Sequence, residues 1–345
     1  MNTRNAQSID FRDTDMPSRP LPVLDLGPFL AGEAGALEEL AGKWREACEG
    51  LGFMCLINHG LPDAEIEAME TAVRRFHAQP AEEKLKIKVN EHQRGFIPNK
   101  TTIQMHTTYQ KEVKPASVEC LVLATEYPED DPNVIAGKQF YAQNQWPDEL
   151  PGFHEIVENY MNQVMDLCKR TLPVWAVSLD LEPGFFEPYF DKSYTYFRLA
   201  KYPIVDFVEE NEFGLSAHAD TGFMTFLPPA REAGLQVLDT DDTWFWPEVP
   251  DGAIIFNIGQ FLERWTNERF RATPHRVLPP RDHDRYSFAC FVNTSLDAMV
   301  ECLPTCTGPG NPPKYPPQTY WDHFHWRMNR TYTHYGKVGA GGTTT

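Results

Sequence analysis

Between Tyr194 and Asn293 the chain breaks into short β-rich runs: Tyr194–Tyr202, Leu215–Asp220, Phe223–Leu227, Leu235–Asp239, Thr243–Val249, Ala253–Asn257, Thr273–Leu278 and Arg285–Asn293. Clusters of Gly, Pro and Asp separate them. Short strands with turn signals between them predict a closed or sandwiched antiparallel sheet, such as a jelly roll.

Upstream, the apolar period is helical. Leu37, Leu40, Ala41, Trp44 and Ala47 predict a helix over Ala36–Cys48, and Ile66, Met69, Ala72, Val73 and Phe76 another over Ala64–Phe76. Phe53–Ile57 reads as a buried strand with Asn58-His59-Gly60 as its turn, and a short strand follows Pro22. Residues 88–148 carry weaker signals: an extended loop or hairpin over 94–108, and an acidic, proline-rich surface loop over Glu126–Asn133. Phe153–Val177 reads as a long amphipathic helix that Pro173 should kink or end early. Thr319–Arg330 reads as an aromatic-rich helix before a flexible tail. The fold class is therefore mainly β with flanking helices. The expected divisions are a mobile segment at 1–20, an N-terminal α/β extension at 21–150, a jelly-roll core with its long helix at 151–300, and a C-terminal segment at 301–345.

Composition narrows the partners. Of 345 residues, 23% are charged and 41% hydrophobic, which is globular composition. Acidic residues outnumber basic ones 49 to 31, a formal charge of −18. Such a surface repels phosphate backbones and anionic lipid, so nucleic acid and membranes are not expected partners. It does not exclude a small anionic ligand in a locally basic pocket. No apolar run approaches a membrane span, and the start MNTRNAQSIDFRDTDMPSRP lacks the apolar region of a secretory signal. Seven cysteines, of which only Cys302 and Cys306 are closely spaced, indicate reduced thiols in a cytoplasm and no zinc ribbon.

His218-Ala219-Asp220 is the sharpest chemical signal. Residues two apart in a strand share a face, so an imidazole and a carboxylate converge. His275, at the start of another expected strand, supplies a third donor. Two histidines and one carboxylate suit non-haem Fe(II), with three coordination sites left open. Ten residues further, Arg285 and Ser287 share a strand face. A guanidinium with a neighbouring hydroxyl is suited to holding a carboxylate.

This ordered set resembles the Fe(II)/2-oxoglutarate-dependent dioxygenase superfamily, and within it the isopenicillin N synthase-like branch. The resemblance covers roughly residues 20–300. It extends to Pro22-Val-Leu-Asp-Leu, Asn58-His-Gly, Trp146-Pro-Asp-Glu-Leu-Pro-Gly-Phe, Lys201-Tyr-Pro, Gly234-Leu-Gln-Val and Asn257-Ile-Gly. It implies a double-stranded β-helix with an N-terminal extension. It also implies His218, Asp220 and His275 as iron ligands, and Arg285, Ser287 and Tyr202 as contacts of the cosubstrate 2-oxoglutarate. One departure is Ala200, where many plant members have Asn. The implied reaction consumes O2 and 2-oxoglutarate, releases succinate and CO2, and hydroxylates or otherwise oxidises a small organic molecule. Within the same fold, the alternatives are an oxidase that needs no 2-oxoglutarate and a non-catalytic small-molecule binding protein. A monomer or homodimer is expected.

Strand parity nominates substrate contacts. Arg198 faces the same way as Tyr202 and would suit an anionic substrate, while Phe291 and Asn293 continue the face of Arg285. Phe96, Ile103 and Met105 in the 94–110 loop, and the 319–330 segment, are candidates for a lid. His323 and His325 point to different sides of their helix, which makes them poor paired ligands. His59 is expected to serve the Asn58-His59-Gly60 turn.

Overall fold

The computed structural model describes residues 10–103 and 114–331. Its strands begin with β1 (Ser18–Pro20), β2 (Val23–Asp25), β3 (Phe53–Ile57), β4 (Gly95–Ile97), β5 (Glu119–Ala124), β6 (Ser193–Tyr202) and β7 (Leu215–His218). They continue as β8 (Met224–Leu227), β9 (Leu235–Leu238), β10 (Trp244–Glu248), β11 (Ile254–Ile258), β12 (His275–Val277), β13 (Arg285–Ser295), β14 (Met299–Val300) and β15 (Gln318–Thr319). The helices begin with α1 (Gly27–Leu30), α2 (Ala36–Glu49), α3 (Asp63–His77) and α4 (Ala81–Lys86). They continue as α5 (Pro132–Ile135), α6 (Phe153–Ser178), α7 (Gln260–Trp265) and α8 (Tyr320–Thr331).

Every strand expected between residues 194 and 293 forms. They divide between a five-stranded sheet, β1-β10-β9-β12-β7, and an eight-stranded sheet, β2-β3-β11-β8-β13-β6-β5-β4. Together they make a jelly roll. The N-terminal strands β2 to β5 build no separate sheet; they extend both ends of the larger one. Strand alternation separates its two faces. Phe197 and Phe288 turn outward to Tyr160 of α6, with ring centroids 5.8 and 5.7 Å away. Their neighbours Arg198 and Ser287 turn to the interior of the roll. Trp44 of α2 and Trp175 of α6 meet edge to face at 5.0 Å, and both contact Phe256 of β11. Both tryptophans are fully buried. At about 25 cal/mol per Å² of apolar area, such residues lock the helices onto the sheet and make its inner face a rigid support.

Several expectations are corrected. Pro173 lies inside α6, which runs through it. The carbonyl left without its partner belongs to exposed Lys169, while Leu172, Val174, Trp175 and Ala176 are buried, so packing outweighs the missing hydrogen bond. Residues 10–20 are not a loose segment. Ser18–Pro20 pairs in parallel with β10, and the Arg12 guanidinium donates to the carbonyls of Val205, Asp206 and Pro280. Strand β5, unforeseen in the sequence, joins β4 to β6. The acidic loop after Glu126 carries the short helix α5. Met105, His106, His334 and the C-terminal tail lie outside the described residues. Among the described residues no helix is long and apolar enough to cross a membrane.

Candidate active site

His218 ends β7 and His275 begins β12, and the antiparallel pairing of these strands sets them opposite each other. Their ring centroids are 4.4 Å apart. Asp220 arrives from the turn after β7, because that strand ends at His218; the turn, not strand parity, delivers the carboxylate. Its Oδ1 lies 3.8 Å from His218 Nε2 and 3.5 Å from His275 Nε2. The three donor atoms fall within 4.8 Å of one another.

Outer hydrogen bonds decide which atoms face inward. His218 Nδ1 is 2.8 Å from the Ser216 carbonyl and His275 Nδ1 is 3.1 Å from the Thr273 carbonyl. A carbonyl only accepts, so each Nδ1 carries a proton and each Nε2 is turned to the centre. Oδ2 of Asp220 accepts from Asn257 Nδ2 and from Thr225 Oγ1, both at 2.7 Å, which leaves Oδ1 toward the imidazoles. Burial pushes the His218 pKa down to about 3, with His275 adding to the fall and Asp220 opposing it. For His275 burial also pulls downward, but the adjacent carboxylate outweighs it and the pKa rises. Burial alone would raise the Asp220 pKa; the two histidines, His275 first, hold it below its ordinary value. One carboxylate and two imidazoles in this arrangement are a donor set for a first-row divalent metal, which takes the histidines in their neutral form.

Arg285 and Tyr202 are register partners at the ends of β13 and β6, as are Ser287 and Ala200. All four line one cavity together with the triad. Arg285 is 4% exposed. Its Nε donates to the Glu232 carbonyl at 3.1 Å and its guanidinium lies 5.1 Å from the Tyr202 ring centroid. Burial lowers its pKa and Tyr202 opposes that fall. Arg285 Nη1 finds no hydrogen-bond partner among the described residues. A buried guanidinium nitrogen left unpaired is costly, so the cavity fits an anionic acceptor. The backbone is shaped around this group. A Cβ at Gly234 would stand 2.8 Å from Arg285 Cδ, and one at Gly214 would stand 2.8 Å from Tyr202 Cδ1.

A second chamber opens from the triad beneath α8. Arg198, His218, Asp220 and Phe291 line both spaces, so the triad stands where they meet. Tyr320, Phe324, Arg327 and Met328 of α8 form the far wall. His323 is fully buried on the same helix, with Nε2 3.0 Å from the Thr221 carbonyl. Burial lowers its pKa to about 3, so a neutral His323 donates to the turn that carries Asp220. His325 points elsewhere and stacks on Trp321 at 4.8 Å.

Two candidates are displaced. Phe96 packs in the core against Phe76 at 6.0 Å and under Lys84, and is 2% exposed. Asn293, fully buried, accepts from the Phe223 N–H at 2.9 Å and donates to the carbonyls of Tyr194 and Phe291 at 3.1 Å. Its amide braces the backbone. His59 braces the turn between β3 and α3, accepting at Nδ1 from the Leu61 N–H at 3.1 Å and reaching the Gly252 carbonyl with Nε2. Thr225 and Arg327 carry no signal in the sequence; Asn257 enters there only within the Asn257-Ile-Gly motif, and His323 only as a poor partner for His325.

Residues 21–149 match the family described as non-haem dioxygenase in morphine synthesis N-terminal, and residues 194–294 match the 2OG-Fe(II) oxygenase superfamily. The 2-oxoglutarate-Fe(II) type oxidoreductase hxnY of Emericella nidulans is 32% identical over 92% of this chain and 91% of its own. Homoarginine-6-hydroxylase of Arabidopsis thaliana is 30% identical over 82% of this chain and 80% of its own. Among solved structures, a 2OG-Fe(II) oxygenase family protein from Caulobacter crescentus superposes with a TM-score of 0.77 at 28% identity, covering 90% of this chain and 98% of that one. A full-length Neurospora crassa protein in complex with alpha-KG and 5-formyluracil shares the fold with a TM-score of 0.77 at 23% identity, covering 89% of this chain and 95% of that one. The chain belongs to the 2-oxoglutarate- and Fe(II)-dependent oxygenase superfamily, whose chemistry requires ferrous iron, 2-oxoglutarate and O2.

Proposed function

We propose that His218, Asp220 and His275 hold the ferrous ion, that Arg285, Ser287 and Tyr202 hold the distal carboxylate of 2-oxoglutarate, and that the chamber under α8 receives a small organic substrate. The observation that carries this reading is the adjacency of a buried, convergent triad to a buried guanidinium with an open Nη1. When bound, iron with 2-oxoglutarate and O2 supplies the oxidation: one oxygen atom enters succinate as CO2 leaves, and the other enters a substrate C–H bond to give an alcohol.

The protein's own groups supply geometry and a dry site. Ser216 and Thr273 hold the imidazoles in the tautomer that presents Nε2. Asn257 and Thr225 hold one oxygen of Asp220 so that the other serves the metal. Arg285 and Ser287 supply a fork and a hydroxyl to one carboxylate. Ala200 has no polar atom to add, so Tyr202 carries the remaining side-chain contact on that strand. Phe291 and Phe324 exclude water beside the triad. The substrate is not set by family membership, since relatives include proteins named Kihadalactone A synthase and homoarginine-6-hydroxylase. The seven cysteines are free thiols, which supports a reducing, cytoplasmic setting. A monomer or homodimer remains our proposal for the assembly.

The test is succinate release from labelled 2-oxoglutarate by the iron-loaded protein, with 2-oxoglutarate binding measured under nitrogen. The wild type binds and turns over the cosubstrate, and His218→Ala and Asp220→Ala do not release succinate. Undiminished succinate release by Asp220→Ala overturns the reading.

A further inference from the structure

We propose that His323 is a positioning residue for the metal: it latches α8 to the turn that carries Asp220, so that metal binding and the seating of α8 over the substrate chamber reinforce each other. The inference rests on the oxygenase reading of the triad and adds to it the order in which the site assembles.

Asp220 stands beyond the end of β7, so its carboxylate is only as fixed as the turn Asp220-Thr221-Gly222. Three neighbours enclose that turn. From α7, the Gln260 N–H donates to the Asp220 carbonyl at 2.7 Å, and the Phe261 N–H is shared between the carbonyls of Thr221 and Gly222 at 3.1 Å. From β13, Asn293 accepts from the Phe223 N–H at 2.9 Å. These two sides have no slack: a Cβ at Gly222 would collide with Asn293 Oδ1, and one at Gly259 with the Gly222 carbonyl. From α8, His323 Nε2 lies 3.0 Å from the Thr221 carbonyl. A carbonyl only accepts, so this nitrogen carries the proton.

The same helix walls the chamber. Tyr320, Phe324 and Met328 line it together with Asp220, Thr221 and Gly222. Phe261 joins the parts. Its N–H holds the turn, while its ring lies 5.3 Å from His323 and 5.1 Å from Tyr320, centroid to centroid. The start of α8 is anchored elsewhere: the Trp321 N–H donates to the Leu296 carbonyl at 2.9 Å and Trp321 Nε1 to the Gln139 carbonyl at 3.1 Å. When α8 lifts, the turn loses the His323 donor but keeps the donors of α7, so it loosens without coming apart. A metal ion that fixes Asp220 favours the turn geometry that His323 meets. By linkage, a seated α8 raises metal affinity by the same factor that metal favours seating. One hydrogen bond sets that factor at about 5- to 10-fold. Metal then binds first, α8 seats on the ordered turn, and the chamber closes around the substrate last.

The experiment uses the full chain with Mn(II) as the metal probe, its binding read from the free-ion spin resonance signal. Amide hydrogen exchange over 320–331 reports the seating of α8, with α2 as the internal reference. Saturating Mn(II) should slow exchange over α8 about 5- to 10-fold in the wild type. His323→Leu should bind Mn(II) about 5- to 10-fold more weakly, and the ion should no longer slow α8. His323→Gln, whose amide nitrogen reaches the place of Nε2, should retain part of both effects, and the shorter His323→Asn should retain neither. Urea midpoints verify that each variant folds, and should His323→Leu fail to fold, the Gln and Asn pair decides. Wild-type affinity in His323→Leu, an ion that slows α8 equally in that variant, or equal losses in Gln, Asn and Leu overturn the latch. Asp220→Ala separates the two readings. If Mn(II) binds it as it binds the wild type, the ion is not at the triad and the oxygenase reading fails with this one; if binding needs Asp220 but leaves α8 exchange unchanged, only the latch fails.

Discussion

The side-chain amide of Asn257 donates to Oδ2 of Asp220 at 2.7 Å, and both residues are almost wholly buried. Thr225 reaches the same oxygen at the same distance. A carboxylate so held cannot rotate, and its other oxygen stays between the imidazoles. Asn257→Leu keeps the volume and removes the donor. Metal affinity should fall about 10- to 100-fold, read by anaerobic titration with Fe(II) or Mn(II). Thr225→Val should weaken it less, and the double variant more than either. An Asn257→Leu protein that binds metal as the wild type does would show that Asp220 needs no brace.

Gly234 gives a way to disturb the cosubstrate site without touching a polar atom. A Cβ there would lie 2.8 Å from Arg285 Cδ, 3.0 Å from its Nε and 3.1 Å from the Leu278 carbonyl. The backbone there is tied to Gly234 itself, since the Leu278 N–H donates to the Gly234 carbonyl at 2.8 Å, so the guanidinium is the group that must move. Gly234→Ala should raise KM for 2-oxoglutarate about tenfold, because a displacement of this order is costly for an oriented ligand. Arg285→Ala should raise it at least about 100-fold, since two charge-assisted bonds are lost. Steady-state succinate assays separate these values. An unchanged KM in Gly234→Ala would mean that the cosubstrate does not lean on Arg285.

Much of the site was legible because strands carry a period of two. Arg285, Ser287 and Phe291 alternate to one face, and the partner strand brings Arg198, Ala200 and Tyr202 to meet them. The same period sets Asn293 on the face of Phe291, but its amide is spent on the Phe223 N–H and the carbonyls of Tyr194 and Phe291, so it braces backbone rather than a cavity wall. Phe96 reads as part of a lid because residues 94–108 look like a loop or hairpin, yet Gly95–Ile97 pairs with β5 and Phe96 packs as core. Strand β5 escaped notice since Glu119–Ala124 is a buried apolar run without alternation. Asn257 and His323 reach Asp220 and the Thr221 carbonyl across long sequence separations, and nothing local in the chain marks those partners.

Asn293 separates a structural role from a binding one. Its amide makes one bond to the Phe223 N–H and two to carbonyls, those with Phe223 and Tyr194 buried and that to Phe291 partly so. Asn293→Ala leaves these backbone groups without partners and should destabilise the fold by about 3 kcal/mol, seen as a lower urea midpoint. KM for 2-oxoglutarate should stay near the wild-type value. Unchanged stability with a raised KM would return Asn293 to the pocket wall.

Glu119 ties the N-terminal helices to the sheet and makes the fold acid-sensitive. Its Oε1 accepts from Lys84 Nζ at 2.7 Å and lies 2.9 Å from His77 Nδ1. Burial pushes its pKa up, but the hydrogen bonds from His77 and Lys84 prevail and hold it at about 2, against 4.5 for a free glutamate. A depressed carboxyl pKa means that the unfolded chain binds the proton first. The stabilisation is therefore complete above pH 4.5 and is lost as pH falls toward 2. Discounted for the partly exposed carboxylate, it amounts to about 1–2 kcal/mol. Urea midpoints from pH 7 down to the acid limit test this against Glu119→Gln. The wild type should be the more stable at neutral pH, and the gap should narrow only below about pH 4.5. A gap that is constant through the acid range would show that the charge on Glu119 does not stabilise the fold.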